Sequence, residues 1–300
     1  MKNRDSLLRR TWRSMLFVPA QHQRMIASAH ARAADAIVLD LEDGVPASYK
    51  AAAREMLPSA IDSLLGHGAD VIVRVNRELA ACVRDIEAAV RPGLAALTLP
   101  KVLGPEHITL IDELISTLEE KNAMPVGAIG LIAMVETADA LGQITTISRA
   151  SPRLCGITIG SEDLALDCSF APTPDNLSNP LRSLVLAAVA AGLTPYGLPG
   201  SIAEIGDKAF FQNLADVACA MGLKGAFCIH PSQVAVLNTA FTPTVAELRW
   251  AHGAVAAYEQ ALRDGHGAVR FEGRMLDLPV VERARVLLSR EQKIWSSKAL

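Results

Sequence analysis

GLIAMVET, residues 130–137, is six apolar or small residues running unbroken into a carboxylate, Glu136. A short apolar run without alternation fits a strand covered on both faces, as in a parallel sheet. A charged side chain at the end of such a strand must be solvated, paired or bound to a cation. The same pattern recurs along the chain: MLFVPA (15–20), AIVLDLE (36–42), VIVRVN (71–76), ALTLPKV (96–102), CGITIG (155–160), LTPYG (193–197) and GAFCIHP (225–231). Most are rich in β-branched residues and bounded by polar residues, Gly or Pro.

Helical patterns separate these runs. GPEHITLIDELISTLEEKN (104–122) sets Ile108, Ile111, Leu114, Ile115 and Leu118 at helical spacing. NPLRSLVLAAVAAG (179–192) stops at Gly192 as a helix C-terminus should. QRMIASAHARAAD (23–35) is similarly Ala-rich. Eight strand candidates alternating with helices predict an α/β fold, a (β/α)8 TIM barrel, over residues 1–241. The alternative is a doubly wound open sheet. No GxGxxG follows an early strand, which argues against dinucleotide binding. Residues 242–300 read differently. A helix ends near Gly265, VRFEGRML has a hairpin's alternation about a central Gly, and DLPVVERARVLLSREQ reads as a last helix. This helical and hairpin extension is expected to serve as a lid and an oligomer arm.

The bulk properties narrow the function. Half of the 300 residues are hydrophobic, a fifth are charged, and the formal net charge is −3. That balance implies no nucleic acid partner. No run approaches the ~20 apolar residues needed to span a bilayer, and no signal-type apolar segment follows the mildly basic KNRDSLLRRTWR. The five cysteines, Cys82, Cys155, Cys168, Cys219 and Cys228, contain no CxxC pair. They read as buried reduced thiols of a cytoplasmic protein.

In a barrel of this kind the C-terminal strand ends carry the chemistry. There stand Asp40, Glu42 and Asp43 after strand two, Arg74 with Asn76 on strand three, and Lys101 after strand four. Glu136 ends strand five, Ser161-Glu162-Asp163 follow strand six, and His230 ends strand eight. Glu136 and Asp163 come from neighbouring strands. Two carboxylates without His or Cys make a hard oxygen site that prefers Mg²⁺. Several readings stay open. Asp163 also fits the first turn of a helix capped by Ser161. Arg74 fits either a structural ion pair or a fork for a substrate carboxylate. Lys101 fits a Schiff-base lysine or a partner for the acids. His230 fits a bond to backbone or carboxylate, or a catalytic role.

RSMLFVPA (13–20), DAIVLDLEDGV (35–45), VRVN (73–76), LPKV (99–102), MVETADAL (134–141), IGSEDLALD (159–167), CIHPSQV (228–234) and GRMLDLPVVERAR (273–285) together resemble the citrate lyase β-subunit-like family. That group also holds malyl-CoA and citramalyl-CoA lyases. The resemblance implies a (β/α)8 barrel assembled as a homotrimer or hexamer, and Mg²⁺-dependent cleavage or formation of a C–C bond in a 3-hydroxyacyl-CoA thioester. The products would be an acyl-CoA and a 2-keto acid. It implies Glu136 and Asp163 as metal ligands and Arg74 as the substrate arginine. Asp43 is implied near the metal's water network, and Asp277 as an acid/base brought by a neighbouring subunit's C-terminal lid. Lys50 and Arg54, one helical turn apart, are candidates for the CoA phosphates. Three features depart from the family pattern: Ala20 in place of Gly, TPYGLPGS (194–201) without its aspartate, and the proline-rich DCSFAPTPDNLSNP (167–180). Alternatives are an Mg²⁺-dependent aldolase on free 2-keto acids, a citrate lyase β subunit acting on citryl-acyl carrier protein, and a non-catalytic ligand-binding paralogue.

Overall fold

The computed structural model describes residues 11–296, with side chains through 291. The chain divides between Phe241 and Thr242 into two compact units.

The first unit is a (β/α)8 TIM barrel. Its strands are β1 (Ser14–Pro19), β2 (Ala36–Asp40), β3 (Asp70–Arg74), β4 (Ala96–Leu99), β5 (Gly130–Val135), β6 (Leu154–Ile159), β7 (Thr194–Tyr196) and β8 (Ala226–Cys228). All pair in parallel, in the order β7-β6-β5-β4-β3-β2-β1-β8. Between β7 and β8 two main-chain bonds bring the edges together: Gly197 N–H donates to Gly225 O (3.0 Å) and Lys224 N–H to Pro195 O (2.9 Å). Gly225 must be glycine here, because a Cβ would run into the Trp12 carbonyl.

The period of two along each strand sorts side chains between two cores. Met15, Phe17, Ala36, Val38, Ile72, Ala96, Ile132, Tyr196 and Phe227 join one buried cluster, with Trp12 at its foot. Leu16, Val18, Ile37, Leu39, Val71, Val73, Leu97, Leu131 and Ala133 join the other, beneath the helices. The interior is therefore filled rather than a pore. Continuing the inward set brings Asp40, Arg74 and Met134, and one step further Glu136, to the strands' C-terminal ends.

The barrel helices are α1 (Gln23–Ala29), α2 (Lys50–Gly66), α3 (Leu79–Ala89), α4 (Pro105–Lys121), α5 (Ala138–Gly142), α6 (Ile144–Ile147), α7 (Ser161–Asp167), α8 (Pro174–Ala191), α9 (Lys208–Met221) and α10 (Pro231–Ala240). Two differ from expectation. Helix α8 starts at Pro174 rather than 179 and runs through Pro180. Its buried stripe of Leu177, Leu181, Leu184 and Ala188 begins before Pro180, and Thr173 caps it, so burial and capping outweigh the one main-chain bond Pro180 forfeits. Helix α7 is capped by Gly160; Ser161 is already its first helical residue and is buried.

The second unit holds α11 (Val245–Arg263), the antiparallel hairpin β9 (Val269–Phe271) and β10 (Arg274–Leu276), and α12 (Leu278–Ser296). Ala251, Ala254 and Tyr258 of α11 share one core with Leu276, Val281 and Ala284. Thr244 and Glu247 form a capping box that starts α11.

Candidate active site

A cavity of about 450 Å³ opens where the barrel strands end. Phe17, Asp40, Arg74, Glu136, Thr158, Asp163, Gly197 and Phe227 are among the residues lining it, with Asp43 and Gly44 from the turn after β2. One side is apolar: the Phe17 and Phe227 rings stack with centroids 5.1 Å apart, beside Met25, Leu198, Ile202 and Ile229. The other side is ionic.

Arg74 is the hub on that ionic side. Its Nε and Nη2 donate to the two oxygens of Asp40, at 2.7 and 2.8 Å, and Nη1 lies 3.0 Å from Glu42 Oε2. Its guanidinium also sits 4.5 Å above the Phe17 ring. Burial alone would lower the guanidinium's pKa. The hydrogen bond and charge of Asp40, then the charges of Glu42 and Glu136, outweigh that and raise it. The ion-pair reading of Arg74 is thus realised, and the same guanidinium faces the cavity.

Lys101 is the second cation. Its residue takes the left-handed backbone, φ +48°, in the turn after β4. That turn points its N–H at Glu136 Oε2. Its ammonium reaches Glu42 Oε1 at 2.8 Å, Asp43 Oδ2 at 3.1 Å and Asp163 Oδ1 at 3.4 Å. It is a partner for the acids, as one of the two readings had it. Burial would lower the ammonium's pKa, but the bond to Glu42 and the surrounding carboxylates raise it.

Five carboxylates, Asp40, Glu42, Asp43, Glu136 and Asp163, therefore meet two cations. Glu136 is 2% exposed. Burial, and then the Asp163 charge beside it, push its pKa up to about 8 against the Lys101 amide's opposing pull. Burial raises Glu42 too, ahead of Arg74's lowering charge. Burial would also raise Asp43, but the hydrogen bond and charge of Lys101 together with the Arg74 charge outweigh it, and the carboxyl sits below its usual range. Glu42 Oε2 is buried and makes no hydrogen bond, its approach to Arg74 being close but misaligned. Gly160, at the foot of α7, lies so close to Glu136 that a Cβ there would strike the carboxylate. Acids in excess of bases, a buried oxygen without a hydrogen bond and a glycine that clears space beside Glu136 suit a hard cation with oxygen ligands.

Lys50 and Arg54 both bond to groups of the protein. Lys50 Nζ donates to the Leu41 and Glu42 carbonyls, at 3.2 and 3.1 Å, and to Asn76 Oδ1. Arg54 pairs with the fully buried Asp85 at 2.6 Å, and Asp85 accepts from both nitrogens of Asn76. This network braces the turn that carries Glu42 and Asp43. Sequence reasoning assigned Asn76, Asp85 and the two cations no such task; only the oddity of polar residues inside apolar runs signalled it. His230 caps α10, its Nδ1 meeting the Ser232 N–H at 3.2 Å while Gln233 reaches back to its own N–H. Asp277 caps α12 of the second unit, its Oδ1 accepting from Val280 N–H at 3.2 Å, and its side chain is exposed.

The model of the HpcH/HpaI aldolase/citrate lyase family matches residues 13–231. Citrate lyase subunit beta of Escherichia coli (strain K12) is 34% identical over 286 residues, 94% of each chain. The (3S)-malyl-CoA thioesterase of Cereibacter sphaeroides is 32% identical over 292 residues, 96% of this chain and 97% of that protein. Among solved structures, CitE of Mycobacterium tuberculosis in complex with magnesium, acetoacetate and coenzyme A superposes with a TM-score of 0.74. It is 30% identical and covers 95% of this chain and 99% of its own.

Proposed function

The chain belongs to the HpcH/HpaI aldolase/citrate lyase family, it is a carbon–carbon lyase, and on that premise we propose that it cleaves or forms a 3-hydroxyacyl-CoA thioester such as citramalyl-CoA or malyl-CoA, giving an acyl-CoA and a 2-keto acid. The observation that carries this reading is the ring of carboxylates at the cavity, in which Glu136 and Asp163 share one electrostatic neighbourhood.

Glu136 and Asp163 would hold Mg²⁺, the ion named with the tuberculosis relative. When bound, Mg²⁺ supplies positive charge that draws electron density from the substrate's carboxylate and hydroxyl or keto oxygens. In the cleavage direction the hydroxyl gives its proton to water, the C–C bond breaks toward the thioester, and the electron pair is left on the thioester's α-carbon as an enolate that then takes up a proton. Arg74, already oriented by Asp40, faces the oxygen on which charge develops; a donor of this kind contributes about 10²–10³ in rate. Asp43 would order water beside the cation. Asp277 would return a proton to the α-carbon, from a neighbouring copy in a trimer or hexamer, with the second unit acting as the lid.

The test is a coupled assay of the purified full chain with Mg²⁺ against citramalyl-, malyl- and methylmalyl-CoA. Citryl-acyl carrier protein and free 2-keto acids serve as separate arms. Turnover confined to CoA thioesters supports the reading. Turnover of citryl-acyl carrier protein alone assigns the chain to a citrate lyase complex instead. Keto-acid binding without turnover on any arm makes it a binding protein.

A further inference from the structure

Lys101 touches more of the acid cluster than any group the reaction needs. Its amide holds Glu136, and its ammonium lies within 3.4 Å of Glu42, Asp43 and Asp163. The two candidate metal ligands are therefore held by two ends of one residue, through a left-handed turn that few non-glycine residues adopt. Among the described residues no group of three His, Cys, Asp or Glu side chains is disposed to hold a metal ion by itself. The protein alone offers a divalent cation two carboxylates, and one of these is shared with an ammonium.

We propose that Lys101 is a positioning residue that sets the cation affinity of this site low, so that the divalent ion enters together with a 2-keto or 2-hydroxy acid that supplies the remaining oxygen ligands. The inference rests on Glu136 and Asp163 being the metal ligands. The amide keeps Glu136 aimed at the ion. The ammonium competes with the ion for Asp163 and opposes its charge at short range. An acid ligand brings its own negative charge and chelating oxygens, and tips that competition. The metal is then exchanged with each substrate rather than stored.

The experiment titrates Mn²⁺ into the full chain, reading free Mn²⁺ by electron paramagnetic resonance, with and without pyruvate. For the wild type, Mn²⁺ binding alone is weak and pyruvate tightens it strongly. Lys101→Met keeps the amide and removes the charge; it should bind Mn²⁺ alone about tenfold tighter or more, and the gain from pyruvate should shrink. Lys101→Arg keeps a cation and should restore the wild-type pattern. If the methionine variant fails to fold, Lys101→Gln takes its place. Unchanged or weaker Mn²⁺ binding by the neutral variants overturns the proposal. Wild-type Mn²⁺ binding by Glu136→Gln would instead overturn the metal assignment beneath it.

Discussion

Glu136 is where the site was most legible from sequence. A strand covered on both faces has no use for a terminal acid, so the acid had to face a cation or the cavity. Its burial has a measurable cost. The unfolded chain ionises Glu136 near its ordinary 4.5, whereas the folded protein holds the proton to about pH 8. Between those values the native state binds more protons than the unfolded one, so metal-free stability is fully present below pH 4.5 and falls as pH rises toward 8. Glu136→Gln has no proton to lose. Its metal-free form should melt a few degrees above wild type at pH 8 and level with it near pH 4.5, by calorimetry, while Mg²⁺-dependent turnover disappears. A lower melting temperature at pH 8 would refute the burial argument. Arg74 was half legible: its place among valines asked for an anion, but an acid of the barrel and a substrate carboxylate were equal claimants, and the strand register then set Asp40 opposite it. Lys101 was least legible. Its amide's partner lies 35 residues away and its ammonium's partners 58 and 59 or beyond, and nothing local announces a left-handed turn at a lysine.

At the scale of elements, the strands were readable because apolar runs punctuated by Gly and Pro leave little choice. Helix starts were less so. Pro180 resembles a boundary, and only the stripe beginning at Leu177 shows that α8 has already begun. A second element-level feature escaped the sequence entirely. Arg153, 4% exposed, enters β6 bonded to Asp112 (2.8 Å), Glu119 (2.9 Å), Ser116 and the Ile129 carbonyl, tying α4 to the start of β5 and β6. Glu119 is fully buried. Arg153→Met would leave that carboxylate buried without its cation, a loss of about 3–5 kcal/mol. Urea unfolding should show the fall in midpoint, and a change under 1 kcal/mol would mean that Gly127 and Ile129 N–H groups suffice for Glu119.

For the whole molecule, the division at residue 241 followed from a change of rhythm: eight strand–helix repeats, then a helix, a hairpin and a helix. The role proposed for the second unit rests on resemblance alone, since an exposed Asp277 capping a helix looks the same whether or not it ever meets a substrate. The proposal that it serves a neighbouring copy has a sharp consequence. Asp277→Asn should lose turnover at least about a hundredfold yet keep Mn²⁺ and pyruvate binding. Glu136→Gln should lose turnover and the metal together. Mixed after partial dissociation, the two dead proteins should regain activity, because some mixed oligomers join an intact barrel to an intact Asp277. No recovery in verified mixed oligomers would place the acid/base within one chain or elsewhere.

The seam between β7 and β8 bears on what a substitution there disturbs. Gly197, which holds one of its two main-chain bonds, borders the cavity together with Leu198, Gly200 and Ile202. Residues 197–201 lie past the end of β7, so substitutions there leave the β6–β7 ladder in place. The carboxylates and Lys101 stand at or past the ends of β2, β4, β5 and β6, each of which is laddered to a strand on both sides. A change at that seam therefore reaches the cavity wall while the strands that bear the acids keep both their ladders.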